Sequence, residues 1–212
     1  MIPFSPEVFF ALFEEYNLAI WPAQLVAYGL GLLALALVFK PSVSGSAIIG
    51  AILAVFWLWN GVVYHWMFFA PINFAAPVFA ALFVLEALLL IWRFVIRRDL
   101  MFEFRRDFAG SAGVTLMIFA LTVYPLLGLA SGHGWPQSAS FGVAPSPTVI
   151  FSFGAFILAR PHMPVFALVV PFIWVLIGGS AIWLIGIPED VLLPAAGLVT
   201  LLLFVRRKRH LT

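Results

Sequence analysis

Long apolar segments follow one another along almost the whole chain, and this repetition most constrains what the chain can fold into. A helix needs about 20 apolar residues to cross the hydrocarbon core of a bilayer, which is about 30 Å thick. By that length the sequence predicts seven membrane spans, near residues 20–39, 46–66, 76–96, 110–130, 148–160, 165–186 and 191–205. The predicted fold class is therefore an all-α, polytopic membrane helix bundle, forming one domain over residues 1–212.

The composition argues against a soluble fold. Hydrophobic residues make up 64% of the chain and charged residues 9%, whereas soluble domains carry about 25% charged residues. A soluble fold of 212 residues cannot hide this much apolar surface from water. The net charge of +2 gives nucleic-acid binding no support. The absence of cysteine excludes disulfides and thiolate metal sites.

A short helix is predicted before the first span. Ser5 is suited to cap a helix, Pro6 fits its first turn, and Glu7 complements the helix dipole. Residues 5–17 mix aromatic and acidic side chains, which is typical of an interfacial helix lying on the membrane. The alternative is that this segment extends the first span.

The positions of the Lys and Arg residues predict the orientation. Cytoplasmic loops of membrane proteins are enriched in these residues. With seven crossings and the N-terminus outside, the cytoplasmic segments contain every cationic residue: Lys40, Arg93, Arg97, Arg98, Arg105, Arg106, Arg160, Arg206, Arg207, Lys208 and Arg209. A re-entrant segment 148–160 would leave the basic tail outside. We therefore expect that segment to cross, with the C-terminus in the cytoplasm.

Glu86 lies near the middle of the third predicted span. A carboxylate at that depth costs several kcal/mol unless it is paired, hydrated or protonated. One interpretation is a proton- or cation-binding group in a transport path. The other is a protonated side chain that donates one interhelical hydrogen bond, and the sequence leaves both open.

Polar side chains also occupy the outer end of the second predicted span, where Asn60, Tyr64 and His65 precede Asn73 in the turn. Counted inward at 1.5 Å per residue, Asn60 lies about 10 Å deep and Glu86 about 15 Å. Adjacent second and third spans would therefore bring Asn60 near Glu86, extending a polar line from Asn73 through His65. The alternative is an aromatic belt at the interface, with His65 facing lipid headgroups.

The loop of residues 131–147, rich in Gly, Pro and Ser, is predicted to fold back over the bundle. It is either a purely structural cap or a binding loop that contributes His133. At Pro147 and Thr148 the next helix begins, and its N–H groups can receive an anion or a carbonyl. His65 and His133 lack the spacing of a metal site, so we expect no metal and no cofactor.

No set of acid, base and nucleophile is visible, and the sequence contains no G-x-S-x-G, H-E-x-x-H or P-loop motif. We therefore predict no enzymatic activity. The expected partners are the lipid bilayer and a second copy of the chain or another membrane subunit. Small-residue faces such as residues 110–113 and 178–181 are typical of close helix packing.

The segments WNGVVYHWMFFAPIN and FGVAPSPTVIFSFGAFIL resemble a bacterial family of small multi-pass membrane proteins of unknown function. The resemblance extends over nearly the whole chain, including YNLAIWPAQ and VPFIWVLIGGSAIWLIGIPED. Members are sometimes labelled as permeases of the major facilitator type. That fold needs two six-helix halves, however, and this chain supplies about seven spans. Where the family often has a cysteine, between the two prolines of PSPT, this chain has Ser146.

Two functions are compatible with these patterns. The first is a small-solute or ion permease of the inner (plasma) membrane, coupled to protons through Glu86. The second is a structural or accessory subunit of a membrane complex, without transport activity. The residues predicted for a substrate or proton path are Glu86, Asn60, His65, Asn73, Tyr64 and His133.

Overall fold

Helices dominate the structure, a computed structural model that describes residues 4–209 apart from the side chains of Pro188 and residues 207–209. The helices are α1 (Pro6–Ala19), α2 (Ala23–Leu37), α3 (Val43–Trp59), α4 (Ala76–Leu90), α5 (Phe108–Leu121), α6 (Val123–Ala130), α7 (Pro145–Leu158), α8 (Phe166–Leu184) and α9 (Leu192–Arg209). Two π-helical segments, Asn60–Phe69 and Ile91–Arg97, continue α3 and α4. The predicted all-α class is thus confirmed at the level of helix content.

Two short non-α elements join the helices. Strands β1 (Met101–Phe102) and β2 (Ala159–Arg160) pair antiparallel, with Met101 opposite Arg160. A 3₁₀ turn, Pro188–Val191, separates α8 from α9. The strand pair ties the loop before α5 to the end of α7.

One end of the bundle is basic. There the segment after β1 donates backbone hydrogen bonds to the end of α2 and to the end of α7. Gly50 of α3 packs against Phe94, in the π-helical end of α4. Lys40, Arg105 and Arg160 flank these contacts, so they lie at the same end. Residues 207–209 were predicted to belong to the cytoplasmic tail, and their side chains are outside the part of the chain that the structure describes.

The opposite end is acidic. Gln137 of the loop before α7 donates to Glu14 Oε2 at 2.9 Å, and Tyr124 of α6 donates to Asp190 Oδ1 at 2.6 Å. These two hydrogen bonds join α1 to the loop before α7, and α6 to the turn before α9.

Fewer helices are long and apolar enough to cross a membrane than the seven that the sequence predicts. Three segments, Val43–Phe69, Ala76–Arg97 and Phe166–Leu184, are long and apolar enough to cross a membrane alone. The number rises to five if two bent pairs each count as one span: α1 with α2, bent by 83°, and α5 with α6, bent by 44°. The bend between α1 and α2 is compatible both with a separate interfacial helix and with one broken span.

The short helix α7 forms the centre of the bundle. All 14 of its residues are buried, and it packs against α3, α5, α8 and α9. A helix that is apolar on every side requires neighbours all round it. It begins at Pro145, earlier than the predicted 148, and ends at Leu158 because Ala159 has extended backbone and pairs with β1.

The small-residue faces predicted for close helix packing meet other helices of the same chain. A Cβ on Gly113 of α5 would lie 2.8 Å from the carbonyl oxygen of Gly154 in α7. A Cβ on Gly178 of α8 would lie 2.8 Å from the side chain of Leu193 in α9. Both glycines therefore serve close contacts between helices of this chain.

Candidate functional site

A cavity of about 260 Å³ lies at the acidic end, bordered by α1, the π-helical end of α3, α4, α6 and α8. Its lining is mostly apolar and includes ten aromatic residues, among them Phe10, Tyr64, Phe79 and Trp174. Exposed residues such as Phe74, at 85% exposure, form its mouth. A concave, mostly apolar site with few polar groups is typical of small-molecule binding.

Two adjacent carboxylates, Glu189 and Asp190, supply negative charge to this cavity. They are only 3% and 5% exposed. Tyr124 donates to Asp190, whereas Glu189 Oε2 has no hydrogen-bond partner among the described residues. Burial raises the pKa of Glu189, and it raises the pKa of Asp190 to about 7 against the opposing hydrogen bonds of Tyr124 and Ser146. Asp190 can therefore gain or lose a proton near neutral pH.

Asn60 is used to hold irregular backbone inside the bundle. Its fully buried amide nitrogen donates to the carbonyl of Phe56 at 2.8 Å, to that of Gly142 at 3.1 Å and to Thr148 Oγ1 at 3.3 Å. Glu86 is not among these partners, so the predicted Asn60–Glu86 pair does not form. Asn60 instead fixes the segment that leads into α7.

The loop before α7 does fold back on the bundle, as predicted. The Tyr16 hydroxyl donates to the Val143 carbonyl at 2.6 Å, and the Asn17 amide donates to the carbonyls of Pro136 and Ser138 at 2.7 and 2.8 Å. Side chains of α1 therefore supply the donors that this non-helical backbone needs.

The start of α7 offers an anion little to bind. Pro145 and Pro147 have no N–H, and the N–H of Thr148 donates to the Ala144 carbonyl at 3.4 Å. The two cavity carboxylates stand beside this helix start, since Ser146 also lines the cavity. The anion or carbonyl ligand suggested by the sequence is therefore disfavoured here.

His65 lies just behind the cavity wall. It is fully buried, and its ring centroid is 4.8 Å from that of Phe83, 5.1 Å from Trp174 and 5.7 Å from Phe79. Neither ring nitrogen has a hydrogen-bond partner among the described residues. The aromatic-belt alternative, which turned His65 towards headgroups, does not describe this position.

The π-helix explains why Tyr64 and His65 both face inward. Its i→i+5 hydrogen bonds widen the helix, as in the bond from the Ala70 N–H to the His65 carbonyl at 2.9 Å. The residues Asn60, Tyr64 or His65, and Phe69 thus recur every four or five positions on the buried face. Tyr64 reaches the cavity, and His65 packs behind it.

Glu86 lies on the same face of α4 as Phe79, but further from the cavity. It is fully buried, and neither carboxylate oxygen has a hydrogen-bond partner among the described residues. Phe79, Phe83 and Glu86 are spaced four and three apart, so they share one face of the helix. Phe79 lines the cavity, and Glu86 is about 10 Å further along the axis.

The remaining predicted residues lie around the cavity. Asn73 is part of its lining. His133 stacks on Phe10, with ring centroids 3.7 Å apart and planes inclined by 6°, so it supports the wall. The structure therefore brings Tyr64, Asn73 and His133 to the cavity and leaves Asn60 in the support of the loop.

The cavity carboxylates were missed as site residues in the sequence. Glu189 and Asp190 follow Pro188 at the end of an apolar segment, a pattern typical of an exposed turn. The signal that could have revealed them is Tyr124, a hydroxyl inside an otherwise apolar segment that needs a buried partner. Ser146, named only through the family resemblance, also reaches the cavity.

Among residues 4–209, no three His, Cys, Asp or Glu side chains lie close enough to hold a metal ion. A protein-family model, described as a family of unknown function, matches residues 6–212. No curated protein and no solved structure matches the chain.

Proposed function

The chain belongs to DUF6064, a family of unknown function, and we propose that it is a membrane permease whose outer cavity receives a small solute and whose Glu86 carries a proton. The proposed location is a bacterial inner membrane. The proposed topology has seven crossings, with the N-terminus outside and the C-terminus in the cytoplasm.

The outer surface of the bundle supports a membrane location. Large apolar side chains point away from the protein, among them Val78, Leu176 and Trp183 at 61%, 77% and 87% exposure. Soluble monomers rarely expose large contiguous apolar patches. Lipid tails would cover these side chains, which explains why so many are tolerated.

The two ends of the bundle support the proposed orientation. Lys40, Arg105 and Arg160 lie at one end, where Asp107 and Glu103 pair with the two arginines. This clustering of Lys and Arg is what the positive-inside rule expects of the cytoplasmic side. Helix α7 is too short to cross a bilayer as a regular helix. The buried residues 140–144 precede it and lengthen the proposed crossing. Irregular backbone at membrane depth is tolerated where protein covers it, and here Tyr16 and Asn60 satisfy its carbonyls.

One observation carries the proposal: Glu86 is fully buried, has no hydrogen-bond partner in the described part of the chain, and lies on the helix face that leads inward from the cavity. An ionisable side chain inside a membrane bundle is expensive and usually functional. His65 stands between the cavity wall and Phe83, the residue one turn before Glu86. These side chains form a discontinuous line from the cavity into the bundle.

The mechanism follows from what each group can hold. The aromatic cavity excludes water around the body of a solute while the carboxylates at its edge attract a positive or hydrogen-bond-donating group. Glu86 can lie in the apolar interior as a neutral acid and release its proton when water reaches it from the cytoplasmic side. Proton release there, coupled to rearrangement of the bundle, would drive solute movement. We propose that the bundle also makes this cycle with an empty cavity, so that protons move when no solute is present.

The proton itself is the probe that tests this proposal. Purified protein is reconstituted into vesicles that contain a pH-sensitive dye, and an imposed pH gradient is followed as it collapses. We expect wild-type vesicles to collapse the gradient faster than protein-free vesicles and Glu86→Gln to return the rate to that of protein-free vesicles. Glu15→Gln, at an exposed site on α1, is the matched control and should behave as wild type.

Either of two results contradicts the proposal. A wild-type rate equal to that of protein-free vesicles removes the proton route altogether. A Glu86→Gln rate equal to wild type, with Glu15→Gln also unchanged, shows that protons move without Glu86.

A further inference from the structure

The cavity at the acidic end combines two features that select one class of solute. Its wall is mostly apolar and includes ten aromatic residues, and its charged lining residues in the described part of the chain are both acidic, Glu189 and Asp190. No lysine or arginine is among those lining residues. A negative, apolar cavity of about 260 Å³ is matched by a compact positive molecule with an apolar surface.

Glu189 keeps one carboxylate oxygen, Oε2, without a hydrogen-bond partner among the described residues, although His133 is near enough to interact with its charge. Glu189 is 3% exposed and lines the cavity. Asp190 differs, because one of its oxygens accepts the Tyr124 hydroxyl at 2.6 Å. A buried carboxylate oxygen left without a partner is costly, and a cation placed beside it would remove that cost.

The aromatic rings supply the second half of the recognition. Tyr64, Phe79 and Trp174 present their rings along the cavity lining. A cation within about 6 Å of an aromatic ring face is attracted by about 0.5–2 kcal/mol, and aromatic cages are the usual receptors for quaternary ammonium groups. The same rings would pack against the apolar substituents of such a group.

Two other ligand classes fit less well. A bare metal ion needs several oxygen, nitrogen or sulfur ligands, and no group of three His, Cys, Asp or Glu suitable for that occurs in residues 4–209. An anion would meet the two carboxylates, and the prolines at the start of α7 lack the N–H groups to hold it.

We infer that the cavity binds a small alkylammonium ion, with its positive head beside Glu189 and its apolar substituents against the aromatic wall. This inference names the substrate class of the cavity and therefore rests on the proposed function. It concerns binding alone, and binding can be measured without any gradient or membrane potential.

Titration calorimetry on the full-length protein in detergent tests the inference. The probes are choline, tetramethylammonium and benzyltrimethylammonium, and the neutral comparison is 3,3-dimethylbutan-1-ol, which has the shape of choline without its charge. We expect at least one ammonium probe to bind, and choline to bind at least about tenfold more tightly than the alcohol, which corresponds to about 1.4 kcal/mol. This comparison uses wild-type protein only, so it does not depend on the folding of any variant.

Variants assign the binding to the carboxylate. Glu189→Gln keeps the size of the side chain and should weaken ammonium binding at least about tenfold. Glu15→Gln removes an exposed carboxylate outside the cavity lining and should leave binding unchanged. Failure of all three ammonium probes to bind, equal binding of choline and the alcohol, or wild-type affinity in Glu189→Gln would each overturn the inference.

The two proposals fail in different ways. Ammonium binding in detergent, together with a proton flux that does not depend on Glu86, would leave the inference standing and remove the permease mechanism. A Glu86-dependent flux without ammonium binding would remove the inference and leave the permease.

Discussion

At the scale of single residues, the buried polar side chains divide into supports and candidate working groups. Asn60 and Tyr16 donate to carbonyls of the loop before α7, so their hydrogen bonds are used within the fold. Glu86, His65 and Glu189 each keep at least one buried polar atom without a partner among the described residues. Asn60 Oδ1 also lacks a partner among the described residues, so Glu86 and His65 differ from Asn60 in that none of their side-chain polar atoms has one.

The supporting role of Asn60 predicts a loss of stability when its amide is removed. Asn60→Ala leaves the Gly142 carbonyl and the Thr148 hydroxyl without this donor. We expect a cost of about 1–3 kcal/mol, seen as a lower thermal midpoint in detergent. Asn73→Ala is the matched control, because Asn73 is half-buried and its side chain, among the described residues, only accepts the nearby Ala75 N–H, at 3.0 Å. Equal midpoints for the two variants would contradict the role given to Asn60.

Asp190 predicts a specific dependence of stability on pH. Burial raises its pKa from 3.8 to about 7, so the folded protein binds this proton more tightly than the unfolded chain does. The site therefore favours the folded state most at low pH, and this contribution is lost as pH rises towards and beyond about 7. Thermal midpoints between about pH 5 and pH 8 should fall less steeply in Asp190→Asn than in wild type. Identical slopes would show that Asp190 does not titrate in this range.

At the scale of elements, α5 and α7 cross at unusually close range. A Cβ on Gly154 would lie 2.5 Å from the carbonyl oxygen of Gly113 and 2.8 Å from Met117 Cγ. Small residues allow membrane helices this approach. Because α7 is surrounded on all sides, it has little room to move away from an added methyl group.

The close contact between α5 and α7 predicts that a change from glycine to alanine affects stability differently at two positions. Gly154→Ala should destabilise the protein by about 1–3 kcal/mol, since either helix must shift. Gly29→Ala, in α2, meets nothing within 4 Å and should be neutral or slightly stabilising because alanine favours helix. Thermal unfolding of the two variants side by side checks this, and a tolerant Gly154→Ala would show that the α5–α7 contact is loose.

The helices were largely predictable from the sequence, and their irregularities were not. The predicted spans 46–66 and 165–186 correspond to Val43–Phe69 and Phe166–Leu184, because long apolar runs bounded by Pro and charge define such helices. The π-helical turn that faces both Tyr64 and His65 inward leaves no periodic signal. Its inward-facing residues follow from packing with neighbouring helices.

The candidate site was predictable only in part, because its formation also depends on packing between helices. Glu86 and His65 stand out because polar residues are rare in apolar runs. Asp190 and Glu189 do not stand out, since charges between two spans are ordinary. Their burial comes from α6, distant in sequence, which brings Tyr124 onto Asp190.

At the scale of the whole molecule, the bundle has a basic end, an acidic end and a cavity at the acidic end. In an accessory subunit, water would not need to enter the interior of the same fold. A permease requires water to reach the interior near Glu86 from each end at different times. Access of water to the inner face of α4 therefore distinguishes a permease from an accessory subunit.

The natural absence of cysteine makes that access directly measurable. Ala80 and Ala87 are buried on the inner face of α4, on either side of Phe83. Cysteine at each position is small enough to be tolerated and can be treated with a membrane-impermeant methanethiosulfonate from one side of oriented vesicles. Val78→Cys, on the exposed face, serves as the lipid-facing control.

The permease account predicts that Ala80→Cys reacts from the outside, that Ala87→Cys reacts from the cytoplasmic side, and that Val78→Cys reacts from neither. If Ala80→Cys and Ala87→Cys both stay unreactive while Trp135→Cys, in the exposed loop, reacts from outside, the interior is sealed and the protein is not a permease.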